Sequence, residues 1–190
     1  RNKSDLQKGL DIACGAGRHT ILMSQLGIES IGIDSSNAAI EFATKRSKEL
    51  GLNNVTFIND IVQNLDFLKD TFDIVIAWGI MHYLKKEDRQ QLLQKIKEVL
   101  KPNGILLCTL RSTEDSRIEE GKKISDNTYL VDYFDSDSDN TKQTEMYFWD
   151  EDEVRTFLKD FSDIKLGHRI LEPIGHLSKK SAHWLIEAKK

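Results

Sequence analysis

The chain has 190 residues, 39% of them hydrophobic and 31% charged, with a formal net charge of −4. That length suits one domain with its own core, and the apolar share is too high for a disordered chain. The charge offers no general attraction to nucleic-acid phosphates or anionic lipid, and the longest apolar stretch, Ile74 to Met81, is far shorter than the about 20 residues of a membrane helix, so neither partner is expected.

Cys14 and Cys108 stand far apart, each inside an apolar run. They assemble neither a disulfide framework nor a metal-ligand set, so two buried thiols in a reducing cytoplasm are expected, with no metal. The first residue is Arg1 rather than Met, which leaves upstream residues as an expectation.

In chain order, apolar runs alternate with longer amphipathic segments, the pattern of βαβ units in a parallel sheet. A first strand ends at Leu10 to Ala13; Gly15 and Gly17 follow, and Ile21, Leu22 and Leu26 recur at helical spacing until Gly27. Ser30 to Ile33 is the second strand. Ser35 or Ser36 caps a helix carrying Ile40, Ala43 and Leu50, and Val55 to Ile58 is the third strand. Phe72 to Trp78 is continuously apolar after Asp73 and belongs in the sheet centre. Leu92, Leu93, Ile96, Val99 and Leu100 share one face of a helix that Lys101-Pro102-Asn103-Gly104 ends in a turn, before a fifth strand from Ile105 to Leu110. A short helix from Glu151 to Phe161 precedes two strands, Ile164 to Leu171 and Ala182 to Ala188, expected to pair antiparallel at one edge.

Residues 111 to 148 interrupt this pattern with ten acids, five bases and no helical periodicity. Thr128 to Phe134 and Gln143 to Phe148 read as a hairpin around a polar tip. The expected organisation is a single α/β domain over 1–190, doubly wound, with seven strands and an antiparallel carboxyl-terminal pair, and with an insertion or lid at about 111–148. Asp135, Asp137 and Asp139 resemble the start of a calcium loop, but Asn140 replaces the needed glycine, so a solvated tip is expected.

In open parallel sheets ligands bind beyond the carboxyl ends of the strands, which directs attention to the loop after the first strand. Gly15 and Gly17 let a ligand lie against backbone, and the following helix offers free N–H groups. Asp11, Asp34 and Asp60 are expected at one sheet edge, and Asp34, 19 residues past Gly15, is placed to accept from both hydroxyls of a ribose.

With these residues the sequence resembles the class I S-adenosylmethionine-dependent methyltransferases over about residues 6 to 110. Leu10-Asp11-Ile12-Ala13-Cys14-Gly15-Ala16-Gly17 is similar to their first motif, Gly32-Ile33-Asp34-Ser35 to the second, Asn59-Asp60-Ile61 to the adenine-binding turn, and Lys101-Pro102-Asn103-Gly104 to the turn before strand five. The resemblance implies that the cofactor is S-adenosyl-L-methionine, leaving S-adenosyl-L-homocysteine. It implies that Asp34 and Ser35 lie at the ribose, Asp60 at the adenine amino group and Ile61 at the adenine face. Asp11, Ala13, Gly15, Gly17 and Arg18 would surround the methionine portion, and Trp78 would wall the cofactor. Ala13 stands where a glycine is usual, and a slight backbone shift is expected.

Trp78-Gly79-Ile80-Met81-His82-Tyr83 lacks the Asn-Pro-Pro-Tyr of amino-methylating nucleic-acid enzymes, so the implied activity is methyl transfer to O, N or S of a small molecule. The reaction is an in-line displacement, for which orientation alone supplies about 7 to 11 kcal/mol. His82 is the first choice if a proton must be accepted, with Tyr83 next; Arg111 and His183 are the candidate acceptor contacts. Two other readings stand beside this one. A nicotinamide oxidoreductase is disfavoured by Thr20 in place of the third glycine of that fingerprint, and a non-catalytic regulator or partner subunit binding the same cofactor stays open.

Overall fold

The computed structural model describes residues 6–64, 67–135, 140–175 and 179–190. In chain order the elements are β1 (Lys8–Ile12), α1 (Arg18–Gln25), β2 (Glu29–Asp34), α2 (Asn37–Glu49), β3 (Val55–Asn59), β4 (Phe72–Ala77), α3 (Lys86–Val99) and β5 (Leu100–Arg111). There follow α4 (Arg117–Glu120), β6 (Lys122–Ser125), β7 (Thr128–Asp135), β8 (Asn140–Tyr147), α5 (Glu151–Phe157), β9 (Ser162–Leu171) and β10 (Ser181–Lys189). Seven strands form one sheet in the order β3-β2-β1-β4-β5-β10-β9, with β10 antiparallel to both its neighbours, as the sequence leads one to expect. The described part is an α/β fold of the Rossmann-like kind.

β4 sits at the middle of this sheet because every residue of Phe72–Ala77 is buried, on both faces. Its alternate side chains serve two layers: Val75 and Ala77 pack with Leu92, Leu93, Ile96 and Val99 of α3, and Ile74 and Ile76 pack with Met23 and Ile28 beside α1. Each such fully buried aliphatic side chain contributes roughly 1.5–3 kcal/mol. α5 begins in a capping box in which Asp150 accepts from the Glu153 amide at 2.8 Å and Glu153 accepts from the Asp150 amide at 3.0 Å.

Three local expectations change. Leu22, Leu26 and Leu50 are exposed, because the inward side of α1 is Thr20, Ile21, Met23 and Ser24, two of whose hydroxyls bond to Asp11 and Asn54. The turn at Lys101–Gly104 is a bulge inside β5: Phe72 pairs with Leu100 and Ile74 with Ile105, the intervening residues looping out through Asn103 at φ 62°. The segment after β5 contains a one-turn helix and a third strand, β6, so the expected hairpin is part of a separate antiparallel sheet in the order β6-β7-β8. The acidic tip, including Asp137 and Asp139, lies outside the described residues.

A buried ionic hub fastens this second sheet to the first. Asp115 accepts from Arg111 Nη1 at 2.7 Å and from the Ala182 amide at 3.0 Å, joining β5, α4 and the start of β10. No helix among the described residues is long and apolar enough to cross a membrane.

Candidate cofactor crevice and acceptor pocket

The loop between β1 and α1 crosses the carboxyl edge of the sheet in left-handed backbone at Ala13 (φ 57°), Gly15 (φ 53°) and Gly17 (φ 78°). The two glycines do different work. A Cβ at Gly15 would meet nothing within 4 Å, so this residue opens onto the crevice, whereas a Cβ at Gly17 would lie 2.7 Å from the Phe57 ring and 2.9 Å from Ala43. Gly17 therefore lets the start of α1 pack against β3 and α2. The expected slight shift at Ala13 is instead a full left-handed conformation, which costs an alanine roughly 1–2 kcal/mol.

Asp34, at the end of β2, clamps this loop. Its Oδ2 accepts from the Gly15 amide at 2.8 Å and its Oδ1 from the Ser36 amide at 2.9 Å, which leaves each carboxylate oxygen a further lone pair. Asp60 stands beside it, with its amide donating to the Asp34 carbonyl at 3.1 Å. Asp60 Oδ1 accepts from the Ile61 amide and Asn64, and its Oδ2 has no hydrogen bond among the described residues. Ile61 is 47% exposed and Trp78, closing β4, is 38% exposed, large apolar surfaces on the same edge. Ser35 and Arg18 are exposed at that edge, Arg18 within 3.1 Å of His19.

Asp11 does not join these carboxylates. It is 1% exposed, beneath the loop, and its Oδ2 accepts from the Thr20 amide at 3.1 Å and the Thr20 hydroxyl at 2.7 Å. Burial holds its carboxyl up at about 6, and its Oδ1 accepts no hydrogen bond among the described residues. It shapes the loop from below rather than facing the crevice. Cys14 and Cys108 are buried free thiols pushed up to about 12, so neither is a thiolate nucleophile at neutral pH.

Residues 10–104, half of the chain, match the family model described as a methyltransferase domain. The chain belongs to the methyltransferase domain family. Among similar proteins, glycine/sarcosine N-methyltransferase of Aphanothece halophytica is 31% identical over 171 residues, covering 87% of this chain and 60% of that protein. The uncharacterized methyltransferase YcgJ of Bacillus subtilis is 31% identical over 112 residues, 58% of this chain and 44% of that protein. The chain thus spans about half the length of the curated relatives it matches. Among solved structures, a S-adenosylmethionine-dependent methyltransferase of Methanosarcina mazei shares the fold with a TM-score of 0.72 at 22% identity, covering 96% of this chain and 92% of that one. A Burkholderia thailandensis 1,6-didemethyltoxoflavin N1-methyltransferase, solved with S-adenosylhomocysteine, aligns with a TM-score of 0.68 at 16% identity over 96% of this chain and 70% of that one.

S-adenosylmethionine is the cofactor of this methyltransferase family, and the crevice has the features such a molecule needs. Gly15 leaves open space against the backbone, Asp34 and Asp60 offer acceptors to a diol and an amino group, and Ile61 offers an apolar face.

His82 and Tyr83 lie in a 3-10 turn, Met81–Tyr83, beyond β4, ring centroids 4.4 Å apart. Burial lowers the His82 pKa to about 3, with Arg111 adding to the effect, so its imidazole is neutral and a weak base. Its Nδ1 is buried without a partner. His183, on β10, lies 6.4 Å from it, with its own pKa lowered to about 4 by burial. Arg111 braces the second sheet: Asp115 and the Ser181 hydroxyl hold its Nη1 at 2.7 and 3.1 Å.

Two residues that spacing alone does not single out also stand here. The His19 ring packs tilted against Trp78 at 5.3 Å and its Nδ1 is 4.0 Å from Asp11 Oδ1, so it bridges the loop and β4. Arg89, which the sequence places on a polar helix surface, is buried against Tyr147 and Trp149.

Proposed function

We propose that this domain binds S-adenosylmethionine across the carboxyl edge of β1, β2 and β3 and transfers its methyl group to a small-molecule nucleophile. The observation that carries the reading is the Asp34 clamp on Gly15, which holds a carboxylate and an open backbone cradle within one crevice. When bound, the cofactor supplies an electrophilic sulfonium methyl that an in-line lone pair displaces. Asp34 would hold the ribose hydroxyls, Asp60 and Ile61 the adenine, and Gly15 and Arg18 the methionine end. The Trp78 ring would lie close enough to the sulfonium to add about 0.5–2 kcal/mol of cation–π attraction.

The acceptor would enter from the side of Met81–Tyr83 and the second sheet, which would cover it and exclude water. His82, neutral at the wall of the cavity between them, would pack against the acceptor without taking its proton, and a nucleophile that arrives uncharged needs no stronger base. The similarity to glycine/sarcosine N-methyltransferase over most of the chain supports a small acceptor, and an amine nitrogen would satisfy that condition.

The test is incubation of the domain with isotopically labelled S-adenosylmethionine and a cell extract, followed by mass spectrometry of the metabolites. One labelled small molecule that disappears with Asp34→Ala is expected. Label confined to protein or RNA would reject the small-molecule reading, and no calorimetric binding of S-adenosylhomocysteine would reject the cofactor site.

A further inference from the structure

Between the Met81–Tyr83 turn and the second sheet lies a cavity of about 460 Å³, walled by His82, Tyr83 and Arg89 on one side and by Ser125, Thr128 and Tyr147 on the other. Arg89 is its unusual member. Only 7% of it is exposed, yet no carboxylate lies within ion-pair distance of its guanidinium among the described residues, whereas a buried arginine is normally paired. Among the described residues its guanidinium makes one hydrogen bond, a long one from Nη1 to the Leu84 carbonyl at 3.3 Å.

The guanidinium carbon sits 3.8 Å from the Tyr147 ring centroid and 5.2 Å from that of Trp149, so its flat face is taken and its N–H edge is left for a planar partner. The nearest candidate counter-charge is occupied. Glu153 accepts from the Tyr147 hydroxyl at 2.6 Å, Asn127 at 2.8 Å and the Asp150 amide at 3.0 Å. Among the described residues no Arg89 nitrogen is both fully buried and without a partner, so its unused donors keep some access to solvent. Burial also pulls its pKa down, the mark of a cation only partly compensated by Tyr147, Glu153 and Glu87.

We infer that Arg89 is the specificity-determining residue for the methyl acceptor, pairing its N–H edge with a carboxylate of a small molecule seated between the Met81–Tyr83 turn and the second sheet. The inference rests on the methyl-transfer reading above. A carboxylate matches the fork of a stacked guanidinium through two parallel hydrogen bonds. The three cations of the lining, Lys85, Lys86 and Arg89, are matched by three carboxylates, Glu87, Asp126 and Glu145, which favours a singly charged or zwitterionic acceptor over a doubly charged phosphate. A larger cavity, about 560 Å³ between α3 and α5, shares Arg89 but runs toward Thr156 and Phe157, and neither His82 nor Tyr83 lines it.

The experiment is two-dimensional NMR of the whole domain, with and without S-adenosylhomocysteine, following the Arg89 Nε–H signal, assigned by its loss in Arg89→Lys. Sodium acetate, acetamide and inorganic phosphate are the probes. Saturable shifts of Arg89 and of the Ser125 and Thr128 amides are expected with acetate and not with acetamide, and weaker ones with phosphate. Arg89→Lys, which keeps the charge, should weaken acetate at least about tenfold, while S-adenosylhomocysteine affinity and the melting temperature stay near the parent's. Absence of a saturable acetate shift overturns the proposal, as do shifts at Thr156 and Phe157 in place of Ser125 and Thr128, or phosphate binding more tightly than acetate. If S-adenosylhomocysteine itself fails to bind, the methyl-transfer reading falls while the acetate result still decides whether Arg89 holds an anion.

Discussion

Asp34 reaches across from the end of β2 to accept the Gly15 amide at 2.8 Å, so the carboxylate proposed to hold the sugar also fixes the loop proposed to hold the amino-acid tail. Both halves of the crevice depend on one side chain. Asp34→Asn keeps an acceptor for Gly15 but loses charge-assisted bonds worth about 1.5–3 kcal/mol. S-adenosylhomocysteine affinity should fall roughly 10- to 100-fold in calorimetry, with little change in melting temperature. An affinity within twofold of the parent's removes Asp34 from the site.

Gly15 and Gly17 should separate function from stability. Gly15→Ala places a methyl in open crevice space and should chiefly weaken cofactor binding, beyond a backbone cost of about 1 kcal/mol. Gly17→Ala drives a methyl into Phe57 and Ala43 and should cost about 2–4 kcal/mol of folding stability, from overpacking and the left-handed backbone together. Urea unfolding beside calorimetry reads both; equal stability losses in the two variants contradict this division of roles.

Ala13 carries a penalty that glycine would not. Ala13→Gly relieves a left-handed strain of roughly 1–2 kcal/mol and gives back about 0.4–1 kcal/mol through greater freedom of the unfolded chain. A net gain of up to about 1.6 kcal/mol is expected in urea unfolding, and a clear loss would mean that the native backbone here is not left-handed.

Asp11 gives the fold a pH dependence of definite sign. Burial raises its pKa from 3.8 to about 6, so between those values the native state holds a proton that the unfolded chain has released. Stability therefore falls as pH rises through that window, by up to about 3 kcal/mol for this group alone. Asp11→Asn keeps an acceptor for Thr20 and removes the titration, so its urea midpoint between pH 4 and 7 should slope less steeply downward than the parent's. Parallel profiles would contradict an Asp11 pKa near 6.

The Arg111–Asp115 pair should behave as a brace. Asp115→Ala leaves the buried Arg111 cation and the Ala182 amide without their acceptor, and breaking such a pair costs about 3–5 kcal/mol. Unfolding in denaturant should show it, and a loss under 1 kcal/mol would place the hub in solvent.

Much of the parallel sheet can be read from the chain because its signals are local: an unbroken apolar run for β4, helical spacing of Leu92, Leu93, Ile96 and Val99, and glycines before α1. β6 escapes notice because Lys122–Ser125 is polar and fully exposed, held by pairing with β7 rather than by an apolar face. Alternation along β1 places Asp11 on a face without revealing its depth under the loop. The distinct duties of Gly15 and Gly17 depend on Phe57 and Ala43, which only the fold brings near. Arg89 is hidden for the same reason. In Lys-Lys-Glu-Asp-Arg it reads as part of a solvated helix surface, and the rings that bury it come from β8 and the residue preceding Asp150.

The order of strands also bears on how the chain comes off the ribosome. β9 is made before β10, but β10 lies between β9 and β5, so β9 has no sheet partner until Ser181–Lys189 has emerged. Until then the nascent protein carries the parallel part of its sheet with the Ile105–Arg111 border unpaired, a surface open to strand exchange with other chains. Late translation is therefore the stage at which chaperone contact would matter most to this domain.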